Sequence, residues 1–133
     1  MRINMPVEEF TTPDPVTATE DASIDELRKR MDELGVRHLP ILRDGVVVGV
    51  VSDRDVRVAA GLDPEKRALV RASDIMAADP VSVSASDGLD QVAFTMSERK
   101  VGSVIVNDDE GAFLGIFTAT DALNALIEIV RKG

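Results

Sequence analysis

Apolar residues in the first half of the chain change spacing twice. Ile24, Leu27, Met31 and Leu34 recur at intervals of three and four, the period of a helix with one apolar face. Ser23 and Glu26 give the Ser-x-x-Glu pattern of a capping box, and Gly35 supplies a stop, so the spacing predicts a helix of about three turns. Residues 36 to 42 and 46 to 51 are instead continuous apolar, β-branched runs joined by Arg43-Asp44-Gly45. They predict the two strands of a hairpin. Ser52 then stands where it can cap a shorter helix.

The second half repeats this order. Asp14-Pro15-Val16-Thr17 matches Asp79-Pro80-Val81-Ser82, Met31 matches Met96 and Val36 matches Val101, all at an offset of 65. One extra residue in the second hairpin turn raises the offset to 66, which aligns Gly49 with Gly115 and Asp55 with Asp121. A helix capped by Ser86 or Asp87 and carrying Leu89, Val92 and Met96, strands over 101 to 106 and 112 to 117, and a final helix from Thr118 complete the copy. An internal repeat of this length implies one supersecondary unit used twice. Each unit reads strand, helix, strand, strand, helix, with a right-handed crossover between its first two strands. The expected fold is therefore α/β (α+β): two β-α-β-β-α repeats, residues 8 to 60 and 72 to 130, packed through their sheets in a pseudo-two-fold arrangement. The charged stretch 61 to 71, with Pro64, is the expected linker.

Composition narrows the function. A 44% hydrophobic content supports a core. Against 15 basic residues stand 24 acidic ones, a net charge of -9, which disfavours nucleic acid and anionic membranes, both of which need clustered Lys and Arg. Residues 1 to 71 hold 11 of the basic groups and residues 72 to 133 only 4, so a contact with an anion is expected to draw on the first half. The absence of cysteine excludes disulfides, thiol catalysis and thiolate metal sites. With 3% aromatics there is almost no platform for stacking single-stranded bases. MRINMPVEEF lacks the apolar run of a signal peptide, and no apolar segment approaches the roughly 18 residues needed to span a bilayer. A cytoplasmic protein is expected.

The chemistry concentrates in two segments, Gly49-Val50-Val51-Ser52-Asp53-Arg54-Asp55 and Gly115-Ile116-Phe117-Thr118-Ala119-Thr120-Asp121. Each is an apolar strand ending in a hydroxyl, with an aspartate three residues on. The hydroxyl at the strand-to-helix junction can cap the helix, whose backbone donors favour phosphate, and the aspartate can accept sugar hydroxyl protons. Arg37, His38 and Arg54 are the nearby cations. His38 is the single histidine and has no partner motif for base catalysis, so a phosphate contact is its best functional role. Arg37 and Arg54 could equally be surface charges paired with Asp44 or Asp53. Asn107-Asp108-Asp109-Glu110-Gly111 lacks the ligand alternation and distal Glu of a calcium loop and reads as a solvated turn. No Gly-rich phosphate loop, nucleophile elbow or zinc-spaced motif is present, and no catalytic or metal-ligating residue is expected.

The repeat order and the twice-written G-h-h-[ST]-x-x-D segment resemble a tandem pair of CBS domains, a Bateman module, over roughly residues 8 to 130. Ala72-Ser73-Asp74-Ile75-Met76 before Asp79-Pro80-Val81, and Val36-Arg37-His38-Leu39-Pro40-Ile41, are similar to that family's lead into a repeat and its central strand. The resemblance implies a stand-alone regulatory module without catalysis, sensing an adenosine-containing ligand of the AMP, ADP or ATP class, with S-adenosylmethionine or NADH as further candidates, and requiring no cofactor. It implies composite clefts, one using Ser52, Arg54 and Asp55 with Val81 and Ser103, the other Thr118, Thr120 and Asp121 with Val16, Arg37 and His38. Apolar strand residues, with Met76 beside them, would hold the adenine. It further implies a homodimer through helices, with Leu123, Leu126, Ile127 and Val130 as contact surface, and an effector protein that receives the signal. The second motif departs by carrying Thr120 for Arg54, and Gly102-Ser103 stand for Arg37-His38, so the two sites are expected to be unequal. A dimerising interaction scaffold whose nucleotide sites have decayed is the alternative.

Overall fold

The computed structural model describes residues 5 to 132. In chain order the strands are β1 (Thr12–Pro13), β2 (Ala18–Thr19), β3 (His38–Arg43), β4 (Val46–Ser52), β5 (Ala77–Ala78), β6 (Ser82–Ser84), β7 (Ser103–Asn107) and β8 (Phe113–Thr118). The helices are α1 (Ile24–Leu34), α2 (Asp53–Ala60), α3 (Pro64–Leu69), α4 (Ala72–Ile75), α5 (Leu89–Arg99) and α6 (Ala119–Lys132), and one 3-10 turn spans Val7–Phe10. They form two compact units, one over Pro15–Pro80, the other joining the N-terminal segment up to Asp14 to the chain from Val81 onward.

Each unit is a four-stranded sheet with its own core. In the first unit the order is β2-β3-β4-β5; β2 runs parallel to β3 with α1 as the crossover, and β3 and β4 form the expected antiparallel hairpin. Ile24, Leu27 and Met31 of α1 are buried with Leu39, Ile41, Val51 and Val56, each such side chain contributing about 1.5–3 kcal/mol by leaving water. Leu34, last in the helical spacing, is exposed. The second unit repeats the plan in the order β1-β8-β7-β6, with α5 crossing between β6 and β7. Its core holds Val7, Val92, Met96, Val104, Val106 and Phe117. Even the irregularities repeat: a register shift follows Ile41 in β3 and Val106 in β7.

The compact units do not coincide with the sequence repeats. β1, before Asp14, pairs with β8 through Pro13↔Gly115, and β5, before Asp79, pairs with β4 through Ala78↔Gly49. The segment leading into each repeat thus edges the hairpin of the repeat before it, taken cyclically. Asp14 and Asp79 follow these strands with φ of 43° and 51°, a left-handed turn that aspartate tolerates better than most residues. The same pairing explains the glycines of the motif. A Cβ on Gly115 would strike the carbonyl oxygen of Thr12 and lie 3.0 Å from its carbon, while one on Gly49 would strike the Met76 side chain.

Local expectations were met unevenly. Ser23 accepts from Glu26 N at 3.1 Å, but the Glu26 carboxylate turns to Arg30 at 3.3 Å instead of closing the box. The second long helix is capped by Gly88, not by Ser86 or Asp87. Asp87 is engaged earlier, its carboxylate accepting from Ser84 N at 3.0 Å, while Leu89 N donates to Met5 O at 2.8 Å. The stretch 61 to 71 contains helix α3, started by Asp63, which accepts from Lys66 N at 3.0 Å, with Pro64 at its first position.

The two long crossover helices end alike but not equally well. Gly35 closes α1 at φ 64°, and Lys100, its repeat counterpart, closes α5 at φ 55°, a region where a Cβ costs roughly 1 kcal/mol. Lys100→Gly should therefore raise stability by up to about 1 kcal/mol, less the entropy that glycine adds to the unfolded chain. A thermal melt showing a lower midpoint would refute this.

Candidate functional site

The two motif segments build the same local structure. Ser52 ends β4 in extended conformation (φ -95°, ψ 162°), so its hydroxyl faces the first turn of α2. Ser52 Oγ accepts from Asp55 N at 3.2 Å, and the Asp55 carboxylate accepts from Ser52 N at 3.0 Å, a reciprocal capping box. In the other unit Thr118 Oγ1 accepts from Asp121 N at 3.2 Å, and Asp121 Oδ2 accepts from Thr118 N at 2.9 Å and from the Thr118 hydroxyl at 3.0 Å. The helix start is also held from behind. Asp53 N donates to Arg37 O at 2.8 Å, and Ala119 N donates to Gly102 O at 2.9 Å.

These bonds engage one carboxylate oxygen, Oδ2, of each aspartate. Among the described residues Oδ1 of both takes no partner, and both aspartates are half-buried. Helix capping and a role toward a ligand are thus not exclusive: the cap fixes the side chain while leaving an anionic acceptor at the helix mouth. A carboxylate oxygen there can take a hydroxyl proton as a charge-assisted bond.

The remaining sequence-predicted residues sort between the units. Ser52, Arg54 and Asp55 share the first unit with Val16, Arg37 and His38; Thr118, Thr120 and Asp121 share the second with Val81 and Ser103. Within each unit the sheet brings the two sets together, since His38 is the register partner of Ser52 and Ser103 that of Thr118. Arg37 and Arg54 are exposed and, among the described residues, make no ion pair with Asp44, Asp53 or any other acid. Thr120 is exposed, and Val16 and Val81 are half-buried on the turns before β2 and β6. Met76 packs across Gly49.

Two residues that sequence reasoning passed over shape the first unit. Arg30 donates from Nη1 to the carbonyl of Thr17, a contact that the repeat does not hold, since Thr95 stands in its place. Pro40 lies in the middle of β3, where its counterpart in β7 is Ile105. A proline inside an apolar strand run was the available signal, because it removes a ladder donor. Glu20 and Arg43 form a bidentate pair, Nε and Nη2 each 2.6 Å from a carboxylate oxygen. The guanidinium holds the Glu20 carboxyl below its ordinary range, and the carboxylate raises that of Arg43.

A cavity of about 270 Å³ lies elsewhere, against Met5, Leu89, Ala93, Ala122, Ala125 and Leu126. None of the motif residues lines it, and its charged group is Asp90, which repels phosphate. Next to it, Leu123, Leu126, Ile127 and Val130 of α6 are exposed, Val130 by 67%. No helix among the described residues is long and apolar enough to cross a membrane, and no group of three or more potential metal ligands occurs among them.

Comparison with known proteins agrees with this architecture. The chain is 29% identical over 122 residues to the CBS domain-containing protein DDB_G0289609 of Dictyostelium discoideum, covering 84% of this chain and 83% of that one. It spans about a quarter of the length of the related enzymes it matches, including 23% of the inosine-5'-monophosphate dehydrogenase of Korarchaeum cryptofilum. Among solved structures, CBSX2 in complex with AMP superposes with a TM-score of 0.79 at 27% identity, over 93% of this chain and 97% of that one. The CBS domain pair of protein MJ0100, in complex with 5'-methylthioadenosine and S-adenosyl-L-methionine, gives 0.82 at 26% identity, with the same coverage. The CBS domain model matches residues 7–61 and again 72–128, and with the repeated sheets and capping boxes this places the chain in the CBS domain family, as a pair of CBS domains.

Proposed function

We propose that this CBS pair is a regulatory module that binds an adenosine-containing ligand and does no chemistry on it. The observation that carries the reading is the doubled capping box, which holds Asp55 and Asp121 at a helix start with one carboxylate oxygen unengaged. In this role each aspartate accepts ribose hydroxyls, and Ser52 and Thr118 lie beside backbone donors suited to phosphate. Arg37, Arg54 and His38 contribute the positive charge that an acidic chain otherwise lacks, and Val16, Val81 and Ser103 border the base. Thr120, where the first motif has Arg54, makes the second motif the weaker phosphate site. Similarity to pairs solved with AMP and with S-adenosyl-L-methionine supports the ligand class.

Binding regulates only if it differs between two states of the protein. In this reading those states involve a homodimer and an effector protein, with the exposed apolar face of α6 available for contact. Calorimetric titration with AMP, ADP, ATP, S-adenosylmethionine and NADH tests the proposal. Saturable binding of at least one below millimolar concentration is expected, without turnover. Binding of none would overturn it and leave the second reading, a dimerising scaffold, which the same α6 face favours. Light scattering with and without ligand separates the two, because a scaffold dimerises regardless of nucleotide.

A further inference from the structure

The second unit carries a helix face whose counterpart in the first unit is built differently. On α6, Leu123, Leu126, Ile127 and Val130 recur at helical spacing and are 46 to 67% exposed, while the helix turns Ala122 and Ala125 inward. On α5, Asp90, Phe94 and Glu98 follow one another at single-turn intervals, all exposed. The cavity of about 270 Å³ lies where the two helices meet, against Leu89, Asp90 and Ala93 of α5 and Ala122, Ala125 and Leu126 of α6. At the repeat offsets Ala93 matches Arg28, Phe94 matches Lys29, Ala122 matches Val56 and Leu123 matches Arg57. In the first unit Asp25 pairs with Arg67 at 3.7 Å and Glu33 with Lys29 at 3.9 Å. Their counterparts, Asp90 and Glu98, make no ion pair among the described residues. Val56 is buried where Ala122 leaves room. The second unit has thus kept the acids, exchanged their bases for apolar residues and opened a cavity beside them.

None of these exchanges serves the unit's own stability, since large apolar side chains gain nothing in water and a contiguous exposed patch marks a contact site. We infer that this face docks an amphipathic helix of the effector protein, which sets an apolar anchor into the cavity and Lys or Arg side chains beside Asp90 and Glu98. Apolar residues at i, i+3, i+4 and i+7 are the spacing by which one helix lies along another, and Leu123 to Val130 presents it over about two turns. The bases must come from outside, because Lys132 at the end of α6 is held by Glu128 at 2.5 Å. A second copy fits less well. Its own α5 and α6 bring the same acids, and its α1 and α2 offer Arg28, Lys29 and Arg57 but Ala60 and Gly61 where Leu126 and Ile127 stand, so they supply the charge without the anchors. The inference deepens the effector part of the reading above and gives the α6 face to that partner.

The probe is a synthetic helical peptide of about 18 residues, long enough to hold a helix in water, with Leu at the four anchor positions of each repeat and Lys elsewhere. Its counterpart carries Glu in place of Lys. Calorimetry should show one Lys peptide bound per chain, at least about tenfold tighter than the Glu peptide. Two variants install the first repeat's residues. Ala122→Val closes the cavity and should weaken the Lys peptide about tenfold, the scale of losing one anchor pocket. Ala93→Arg, at an exposed position, gives Asp90 an internal base and should bring the preference for Lys over Glu below about threefold. Equal binding of the two peptides, binding of neither, or a Lys peptide indifferent to both variants would overturn the inference, the last because it shows only a polycation on an acidic surface. Light scattering on Leu126→Glu decides the remaining occupant: a wild-type dimer that this exposed substitution dissociates would show that a second copy covers the face, which also overturns it. The nucleotide titrations described above are run without peptide, so the failure of either reading is seen separately.

Discussion

Gly115→Ala is expected to lower the free energy of unfolding by about 3 kcal/mol, the upper part of the range for overpacking a closed site. The added methyl meets backbone: the Thr12 carbonyl lies in its path, with the carbonyl carbon at 3.0 Å. A carbonyl paired across β1 and β8 cannot swing aside as a side chain can. Relief requires β1 to leave β8, which also disturbs the 3-10 turn whose Val7 is fully buried in that unit's core. Gly49→Ala provides the internal comparison. Its methyl meets chiefly the Met76 thioether, a flexible chain, and then the Ala77 carbonyl oxygen at 3.0 Å, so a cost of about 1 kcal/mol is expected. Thermal melts should show Gly115→Ala falling by roughly 10 °C and Gly49→Ala by a few degrees. Equal shifts would show that the β1 contact is not the tighter one.

The second large effect concerns the carboxylates of the capping boxes. Asp121→Ala removes both the cap and the acceptor, so stability should fall by about 1 kcal/mol and adenosine-ligand affinity by roughly tenfold to a hundredfold. Asp121→Asn separates the two roles. Its side-chain oxygen can still accept from Thr118 N and the Thr118 hydroxyl, the bonds that Oδ2 makes now, whereas the charge at the unengaged position is gone. The melting temperature should therefore stay close to the wild type, while affinity drops about tenfold, the difference between charged and neutral acceptors. Asp55→Asn should behave alike, cushioned by the neighbouring Arg54. If Asp121→Asn binds every adenosyl ligand as the wild type does, the carboxylate is a cap and nothing more.

Much of the local structure was legible because its causes are local. Helical spacing with Ser23 before it and Gly35 after it is sufficient to place α1, and two β-branched runs around Asp44-Gly45 are sufficient for a hairpin. The capping boxes were visible in outline as a hydroxyl followed three residues later by an aspartate. Where several donors compete for one acceptor, reading by type failed. Glu26 follows its signature but bonds Arg30, and Asp87 is spent on Ser84 N, leaving Gly88 to begin α5. The choice between such partners depends on which groups the fold delivers to the same point.

By itself, then, the sequence determined the repeated order of elements, the apolar faces that become the two cores and the residue types at each helix start, all of which follow from spacing and from interactions within a few residues. Only the tertiary structure decided which strand lies beside which. β1 and β5, two residues each, carry no pattern that names a partner, yet they edge β8 and β4, and their approach closes the space for a side chain at Gly115 and narrows it at Gly49. The physical reason is that strand pairing is made by backbone groups common to every residue, so its choice emerges only when distant segments are brought within hydrogen-bonding distance.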